Sequence, residues 1–233
     1  MIHLQRYFTN TKQDNEFILS DNDMYHIKTV MRMKDNDEIA VVFKKKPYLC
    51  VLNNNHVMIK QELETLVDNM PYTCLIVPVL KEQKMDIILQ KATELGVSEI
   101  IVYYSIRGII KESDNNTKKL ERWNRILKEA SEQSHRIDIP SISINSLDKI
   151  TNEGINIFCS TTEKTKNIKN ILKSITIYDR INVVIGPEGG IDPKEEKLLL
   201  DNNYIPVTLG NRILRVETVP LFIMSVVNYE LME

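Results

Sequence analysis

The chain has 233 residues, of which 42% are hydrophobic and 27% are charged, and its formal net charge at pH 7 is -2. This composition excludes disordered, collagen-like and low-complexity proteins, and the length suits one large domain or a small domain joined to a medium one. The near-neutral charge argues against indiscriminate nucleic-acid binding, which depends on net basicity.

The first third of the chain predicts one helix followed by short strands. The stretch "SDNDMYHIKTVMRMK" (residues 20–34) predicts a helix with Ser20 or Asp21 as its N-cap. Strands are predicted in "DEIAVVF", "PYLCVL" and "HVMIKQEL", separated by turn signals at residues 44–47 and 53–55. Short strands joined by tight turns predict a small β-barrel here.

From residue 73 the pattern becomes an alternation of strands and helices. Strands are predicted in "CLIVPVL", "EIIVYY", "INIFCS", "RINVVIG" and "IPVTLG". The helices are predicted at residues 84–96 (ending at Gly96), 117–137, 194–201 and from Thr218 onward. We therefore predict two domains, residues 1–70 and 73–233, with a boundary near 68–73. The second is expected to be an α/β domain with a parallel sheet and a ligand at the carboxyl ends of its strands.

Two of these strands end at a glycine. One runs into "GPEGG" (residues 186–190), and the other ends at Leu209-Gly210. Glycine lets backbone groups approach a ligand directly, and a pair of such strand ends is a stronger signal than one. A phosphate would be repelled by Glu188, and no P-loop lysine follows the glycines, so the ligand is expected to be neutral or cationic at this loop. S-adenosylmethionine, which has a sulfonium cation and no phosphate, fits that description. A second interpretation stays open, in which Glu188 only caps the helix that begins near Asp192.

The cysteines and hydrophobic segments limit other functions. Cys50, Cys74 and Cys159 are far apart and form no CxxC motif, so neither a zinc site nor a disulfide framework is indicated, and we predict no metal. The apolar runs are interrupted by charge well short of a membrane span, and residues 1–20 lack an apolar signal core. A soluble cytoplasmic protein without membrane contact is expected.

Several long motifs resemble one protein family. "GPEGG" (186–190) and "LGNRILRVET" (209–218) resemble the RsmE family of bacterial 16S ribosomal RNA methyltransferases, of the SPOUT superfamily. "QRYF" (5–8) and "HIKTVMRMKDND" (26–37) are similar to its PUA-like RNA-binding barrel. Further blocks at 84–100, 105–111 and 119–140 are similar to its catalytic domain. The sequence departs from the usual pattern at His135, Val216, Val219 and Pro220; the last two are expected in the first turn of a helix, where proline is tolerated.

The resemblance implies a homodimer that uses S-adenosylmethionine to methylate N3 of a uridine in 16S ribosomal RNA of the small subunit, with no role for DNA. It implies a SPOUT α/β domain with a trefoil knot around the cofactor. The implied cofactor-binding residues are Ser160, Gly186, Glu188, Gly189, Gly190, Leu209, Gly210, Ile213, Leu214 and Arg215. The implied catalytic residues are Arg215 and Glu217, and the implied RNA-binding residues are Arg6, Arg32, Arg107, Lys111 and Arg136.

Two rival functions remain open at this point. One is a ribosomal RNA-binding module without methyltransferase activity, which local basic residues on a near-neutral chain would also suit. The other is an α/β enzyme acting on a phosphate ligand, against which the central Glu188 and the missing lysine argue.

Overall fold

A computed structural model describes residues 4–65, 70–112, 115–173, 175–176 and 179–231. Two compact units form: Met1–Val67 with Lys128–Ile139, and Asp68–Leu127 with Pro140–Glu233. The predicted domain boundary near residues 68–73 lies partly outside the described residues. In the described part of the chain, no helix is long and apolar enough to cross a membrane.

The first unit is built around a mixed six-stranded sheet. Its elements are β1 (Arg6–Phe8), β2 (Thr11–Gln13), β3 (Glu16–Ile18), α1 (Asp21–Tyr25), a π-helical turn (His26–Val30), β4 (Glu38–Phe43), β5 (Lys46–Asn53) and β6 (His56–Glu62). The strand order is β1-β4-β5-β6-β3-β2, with β1 parallel to β4 and the other pairs antiparallel. The three predicted strands and the cap at Ser20 are confirmed, since the Ser20 side chain accepts from the Asp23 amide. Strands β1 to β3 escaped prediction because three residues are too few to show a periodicity.

Turn geometry fixes the register of this sheet. The β4–β5 hairpin turns at Lys44-Lys45 and the β5–β6 hairpin at Asn54-Asn55, and all four residues have positive φ angles between 45° and 72°. Two left-handed residues in a two-residue loop match the right-handed twist of the flanking strands. The buried faces of the strands enclose a core that includes Tyr7, Phe17, Ile27, Ile39 and Val41.

The second unit contains the predicted parallel sheet. Its elements are β7 (Tyr72–Pro78), α2 (Glu82–Glu94), β8 (Glu99–Tyr103), α3 (Asn116–Gln133), β9 (Ser141–Ile144), a 3-10 turn (Leu147–Lys149), β10 (Ile155–Cys159), α4 (Ile168–Leu172), β11 (Arg180–Val184), α5 (Pro193–Asp201), β12 (Ile205–Val207) and α6 (Thr218–Leu231). Helix α3 belongs to this unit up to Leu127, and its residues from Lys128 onward belong to the first unit. The strand order is β12-β10-β11-β7-β8-β9, and every pairing is parallel. The predicted parallel sheet is therefore confirmed.

Local signals account for most helix boundaries. The end of α2 at Gly96 is confirmed: Gly96 has φ 88°, and the Val97 amide donates to the Ala92 carbonyl in a Schellman motif. Helix α3 ends at Gln133 and not at 137 as predicted, because His135 adopts a left-handed φ of 60° that no helix continues. The helix packs through an apolar stripe that includes Trp123 and Leu127, both of which are buried.

Candidate functional site

Two glycine loops leave the parallel sheet on either side of one strand. Strand β10 lies between β11 and β12, so the loops after β11 (185–192) and β12 (208–217) flank the end of β10. Because all three strands are parallel, their carboxyl ends meet at the same edge of the sheet. Ser160 follows β10 at this edge. Its amide donates to the Val207 carbonyl, at 2.9 Å, and its hydroxyl accepts from the Thr162 amide.

Glycine is required at these loop positions for two different structural reasons. A Cβ at Gly186 would lie 2.8 Å from Ile191 Cγ1 and 3.0 Å from its amide nitrogen, so only glycine fits there. Gly190 and Gly210 have φ angles of 74° and 112°, which disfavour any side chain. Among the described residues, apart from each glycine and its two chain neighbours, no atom lies within 4 Å of a Cβ built at either position. These two glycines border open space at the sheet edge, as a pocket for a ligand requires.

Asp192, and not Glu188, caps the helix after the first loop. The Asp192 side chain accepts from the Lys194 amide, and Glu195 completes a capping box from the helix interior. The interpretation of Glu188 as the cap is therefore wrong. The loop closes through a 2.8 Å hydrogen bond from the Gly190 amide to the Pro187 carbonyl. The Glu188 side chain therefore does not take part in capping this helix.

Glu188 pairs with a residue that the sequence did not single out. Lys84, in the first turn of α2, places its Nζ 2.7 Å from Glu188 Oε1 and 3.6 Å from Glu217 Oε2. The hydrogen bond raises the pKa of Lys84 and lowers the pKa of Glu188 below its usual range. No local sequence signal marks Lys84 as a site residue. It comes near Glu188 because α2 follows β7, the loop of Glu188 follows β11, and β7 and β11 are neighbouring parallel strands.

The second loop presents exposed side chains beside the open glycine. Ile213 is 84% exposed, so it is not part of the core, whereas Leu209 and Leu214 pack partly against the core. Arg215 is exposed, and in the described ranges no carboxylate lies within ion-pair distance of it. Its carbonyl accepts from the amide of Thr218 at 2.9 Å, where α6 begins. Glu188 and Glu217 both pair with Lys84 and not with Arg215.

A third loop, residues 105–111, is joined to the first glycine loop by a buried carboxylate. Glu195 is 6% exposed and accepts from Ser105 Oγ at 3.1 Å and from the Ile106 amide at 2.8 Å. The Oε2 atom that accepts from Ser105 also accepts from the Asp192 amide, at 3.1 Å. One side chain thus satisfies donors from two loops, which fixes their relative position.

Arg107 and Lys111, both predicted to contact RNA, lie on this third loop. The Arg107 guanidinium donates to the Gly189 carbonyl at 3.2 Å and lies 3.3 Å from the Asp192 carboxylate. Lys111 is exposed, and its ammonium donates to the Ile106 carbonyl. Arg107 is therefore a neighbour of the first glycine loop.

The other predicted RNA contacts lie in the first unit. Arg6 donates to the carbonyls of His135 and Arg136, and burial lowers the pKa of its guanidinium. Arg136 forms an ion pair with Asp138 at 2.9 Å. Arg32 is exposed, with a φ of 54°. Arg6 thus holds the backbone of its own unit, whereas Arg32 faces solvent.

The departures from the family pattern have local explanations. His135 occupies a left-handed position, where a small residue such as glycine costs least. Val216 and Val219 are buried. Pro220 is the third residue of α6, as predicted for the first turn, and its missing amide proton would have had no partner within the helix.

Comparison with known proteins places the whole chain in one family. Residues 68–228 match the family described as RNA methyltransferase domain, and residues 19–60 match the RNA methyltransferase PUA domain. Ribosomal RNA small subunit methyltransferase E of Mesomycoplasma hyopneumoniae is 33% identical, over 95% of this chain and 98% of its own length. The protein of the same name from Bacillus subtilis is 32% identical over 97% of both chains.

A solved structure agrees with these similarities. The ribosomal RNA small subunit methyltransferase E of Neisseria gonorrhoeae, solved bound to S-adenosyl methionine, is 29% identical with a TM-score of 0.85 over 98% of both chains. The similarities cover both units and the glycine loops. The chain therefore belongs to the RNA methyltransferase family that includes the ribosomal RNA small subunit methyltransferase E proteins.

Proposed function

We propose that this protein uses S-adenosylmethionine to methylate N3 of a uridine in 16S ribosomal RNA of the small subunit. The observation that carries the proposal is the pair of left-handed glycines, Gly190 and Gly210, which border open space at one sheet edge. The relatives named for small-subunit ribosomal RNA methylation support the substrate. As finer parts of the same proposal, residues 1–70 form a PUA-like barrel and residues 73–233 a SPOUT domain with a trefoil knot. The enzyme works as a cytoplasmic homodimer.

The two glycine loops would hold the cofactor. Backbone groups at Gly190 and Gly210 can meet the polar edges of the adenosine, because both glycines border open space. Gly186 and Gly189 belong to the same loop as Gly190 and are part of the proposed set. Apolar atoms of the second loop and the hydroxyl at the end of β10 complete the proposed set: Leu209, Ile213, Leu214 and Ser160. When bound, S-adenosylmethionine supplies an electrophilic methyl group whose leaving thioether needs no acid.

The protein's chemical task is to prepare the nucleophile. Uridine N3 carries a proton at neutral pH, and its loss spreads negative charge onto the two flanking carbonyl oxygens. A fixed cation beside those oxygens lowers the barrier. Arg215 is suited to that role, because it is exposed and no carboxylate of the described residues forms an ion pair with it. Of the two candidate proton acceptors we favour Glu217. Glu188 is held at 2.7 Å by Lys84, which lowers its pKa and weakens it as a base.

Cofactor binding gives a direct test of the glycine loops. In Gly210→Val, a branched side chain enters the open space, and we expect the affinity for S-adenosylmethionine to fall more than tenfold, about 1.4 kcal/mol. Isothermal titration measures this. Gly210→Ala is the control for backbone strain, because it introduces a Cβ at the same φ angle without the added branches. Equal affinities of wild type and a folded Gly210→Val would contradict the placement.

The same titration separates the rival functions. A wild-type protein that fails to bind S-adenosylmethionine would support an RNA-binding module without activity. A thermal-shift comparison of nucleotides with S-adenosylmethionine tests the phosphate-ligand alternative, for which Glu188 is an electrostatic obstacle.

RNA binding is expected to depend on the exposed arginine of the first unit. Arg32→Ala should weaken binding to a small-subunit RNA fragment and reduce the salt dependence by about one counterion, while cofactor affinity stays unchanged. Arg6→Ala is expected to weaken RNA binding as well, through its hold on residues 135–136. Lys12→Ala removes an exposed charge from the same unit and serves as the control. Unchanged RNA affinity in both arginine variants would assign this unit another role.

The homodimer is expected to bury the open face of α6. Met224 and Val227 are buried by the chain itself, but Phe222 and Val226 are only partly buried and Tyr229 is 81% exposed. Light scattering at micromolar concentration should give twice the 27.1 kDa chain mass. Val226→Arg should shift the protein to monomer, whereas Leu200→Arg, at an exposed apolar position of α5, should not. A monomeric wild type would refute the dimer.

A further inference from the structure

Three charged side chains from separate segments meet beside the glycine loops. Lys84 comes from the first turn of α2, Glu188 from the loop after β11, and Glu217 from the residues that lead into α6. The lysine Nζ lies 2.7 Å from Glu188 and 3.6 Å from Glu217. One ammonium therefore forms ion pairs with two carboxylates, which are 104 and 133 residues away from it along the chain.

Lys84 offsets one of the two negative charges in this group. The Glu217 side chain is 17% exposed, and its Oε2 atom is buried with no hydrogen-bond partner among the described residues. A buried carboxylate is costly unless a cation is close. Lys81 also lowers the pKa of Glu188, but through a longer-range charge interaction, whereas Lys84 forms a hydrogen bond with it. Removing Lys84 would leave two carboxylates near one another with no shared cation, and like charges at that range repel.

We propose that Lys84 is a positioning residue that ties the two glycine loops together in the conformation that binds the cofactor. The inference rests on the proposed function for its ligand, but the link between the loops is a property of the protein alone. No atom of Lys84 lies within 4 Å of a Cβ built at Gly190 or Gly210. Lys84 acts through the carboxylates of the loops that border the open space at these glycines.

The test compares two lysines of one helix. Lys84→Met removes the shared cation, and Lys91→Met is the matched control, since Lys91 pairs with Glu94 of the same helix and with no other carboxylate among the described residues. Lys84→Arg keeps a cation that has several donors for two carboxylates. Each variant is studied without ligand by amide hydrogen exchange of residues 186–192 and 211–217, and then by calorimetric titration with S-adenosylmethionine.

We expect Lys84→Met to speed exchange in both loops together and to weaken cofactor binding at least tenfold. Lys91→Met should match wild type within about twofold, and Lys84→Arg should recover most of the affinity and protection. Similar behaviour of Lys84→Met and Lys91→Met would overturn the proposal, as would a Lys84→Arg no better than Lys84→Met. If Lys84→Met does not fold, the double variant K84M/E217Q also removes the carboxylate that would lack a cation, and hydrogen exchange of the two loops is measured in that variant. Loops as protected as in the wild type would then overturn the proposal as well.

The two readouts separate this inference from the proposed function. A wild type that binds no S-adenosylmethionine refutes the proposed cofactor, yet the exchange comparison still decides whether Lys84 ties the loops. A wild type that binds the cofactor while Lys84→Met keeps full affinity refutes the positioning role alone.

Discussion

Arg215→Ala is expected to lose single-turnover methylation by roughly 10²-fold or more while it retains affinity for S-adenosylmethionine. The physical reason is that a preorganised charge beside the developing oxyanion acts mainly in the transition state, and its removal costs about that much. The structure leaves the guanidinium available for this role, because Glu188 and Glu217 pair with Lys84. Rapid mixing of cofactor-loaded enzyme with a small-subunit RNA substrate measures the rate.

Arg212→Ala is the matched control for Arg215. Both arginines are exposed and lie in the same loop, so loss of general charge attraction to RNA affects both variants alike. Only the Arg215 variant should lose the chemical step at saturating RNA. If Arg215→Ala instead loses cofactor affinity or stability while the bound enzyme still turns over, the residue stabilises the loops and the catalytic assignment is wrong.

Glu195→Ala is expected to lower the free energy of unfolding by about 3 kcal/mol or more. The carboxylate is buried and accepts hydrogen bonds from Ser105, Ile106 and Asp192, so its removal leaves donors of two loops unsatisfied and breaks the capping box of α5. Urea unfolding measures the loss. Cofactor affinity should fall as well, because the first glycine loop ends at Asp192.

Glu196→Ala provides the comparison for this stability effect. Glu196 occupies the same first turn of α5 and has the same charge near the helix N-terminus, but it is more exposed than Glu195. Its replacement should cost less than about 1 kcal/mol, the scale of a charge in the field of a helix end. Equal losses in the two variants would show that the turn needs only negative charge, and not the hydrogen bonds of Glu195.

Residues that act through local rules were predictable from the sequence. Ser20 caps α1 because its hydroxyl can accept from an amide three residues on, and Gly96 ends α2 because its backbone can turn left-handed. The strands that meet at the glycine loops have enough β-branched residues to be found by pattern. Strand β9 and helix α4 were missed, since four or five residues carry too little periodicity.

The sequence by itself determined the alternation of strands and helices, the paired glycine strand ends and the family. These follow from short-range chemistry and from motifs that stand in a fixed order. Only the tertiary structure decided that β10 lies between β11 and β12, which brings both glycine loops to one edge. It also decided that Lys84 serves Glu188 and Glu217, and that Arg6 is turned inward to the backbone of residues 135–136. Such contacts join residues about a hundred or more positions apart, and no local pattern encodes them, because they depend on the order in which the strands assemble into the sheet and its neighbouring loops.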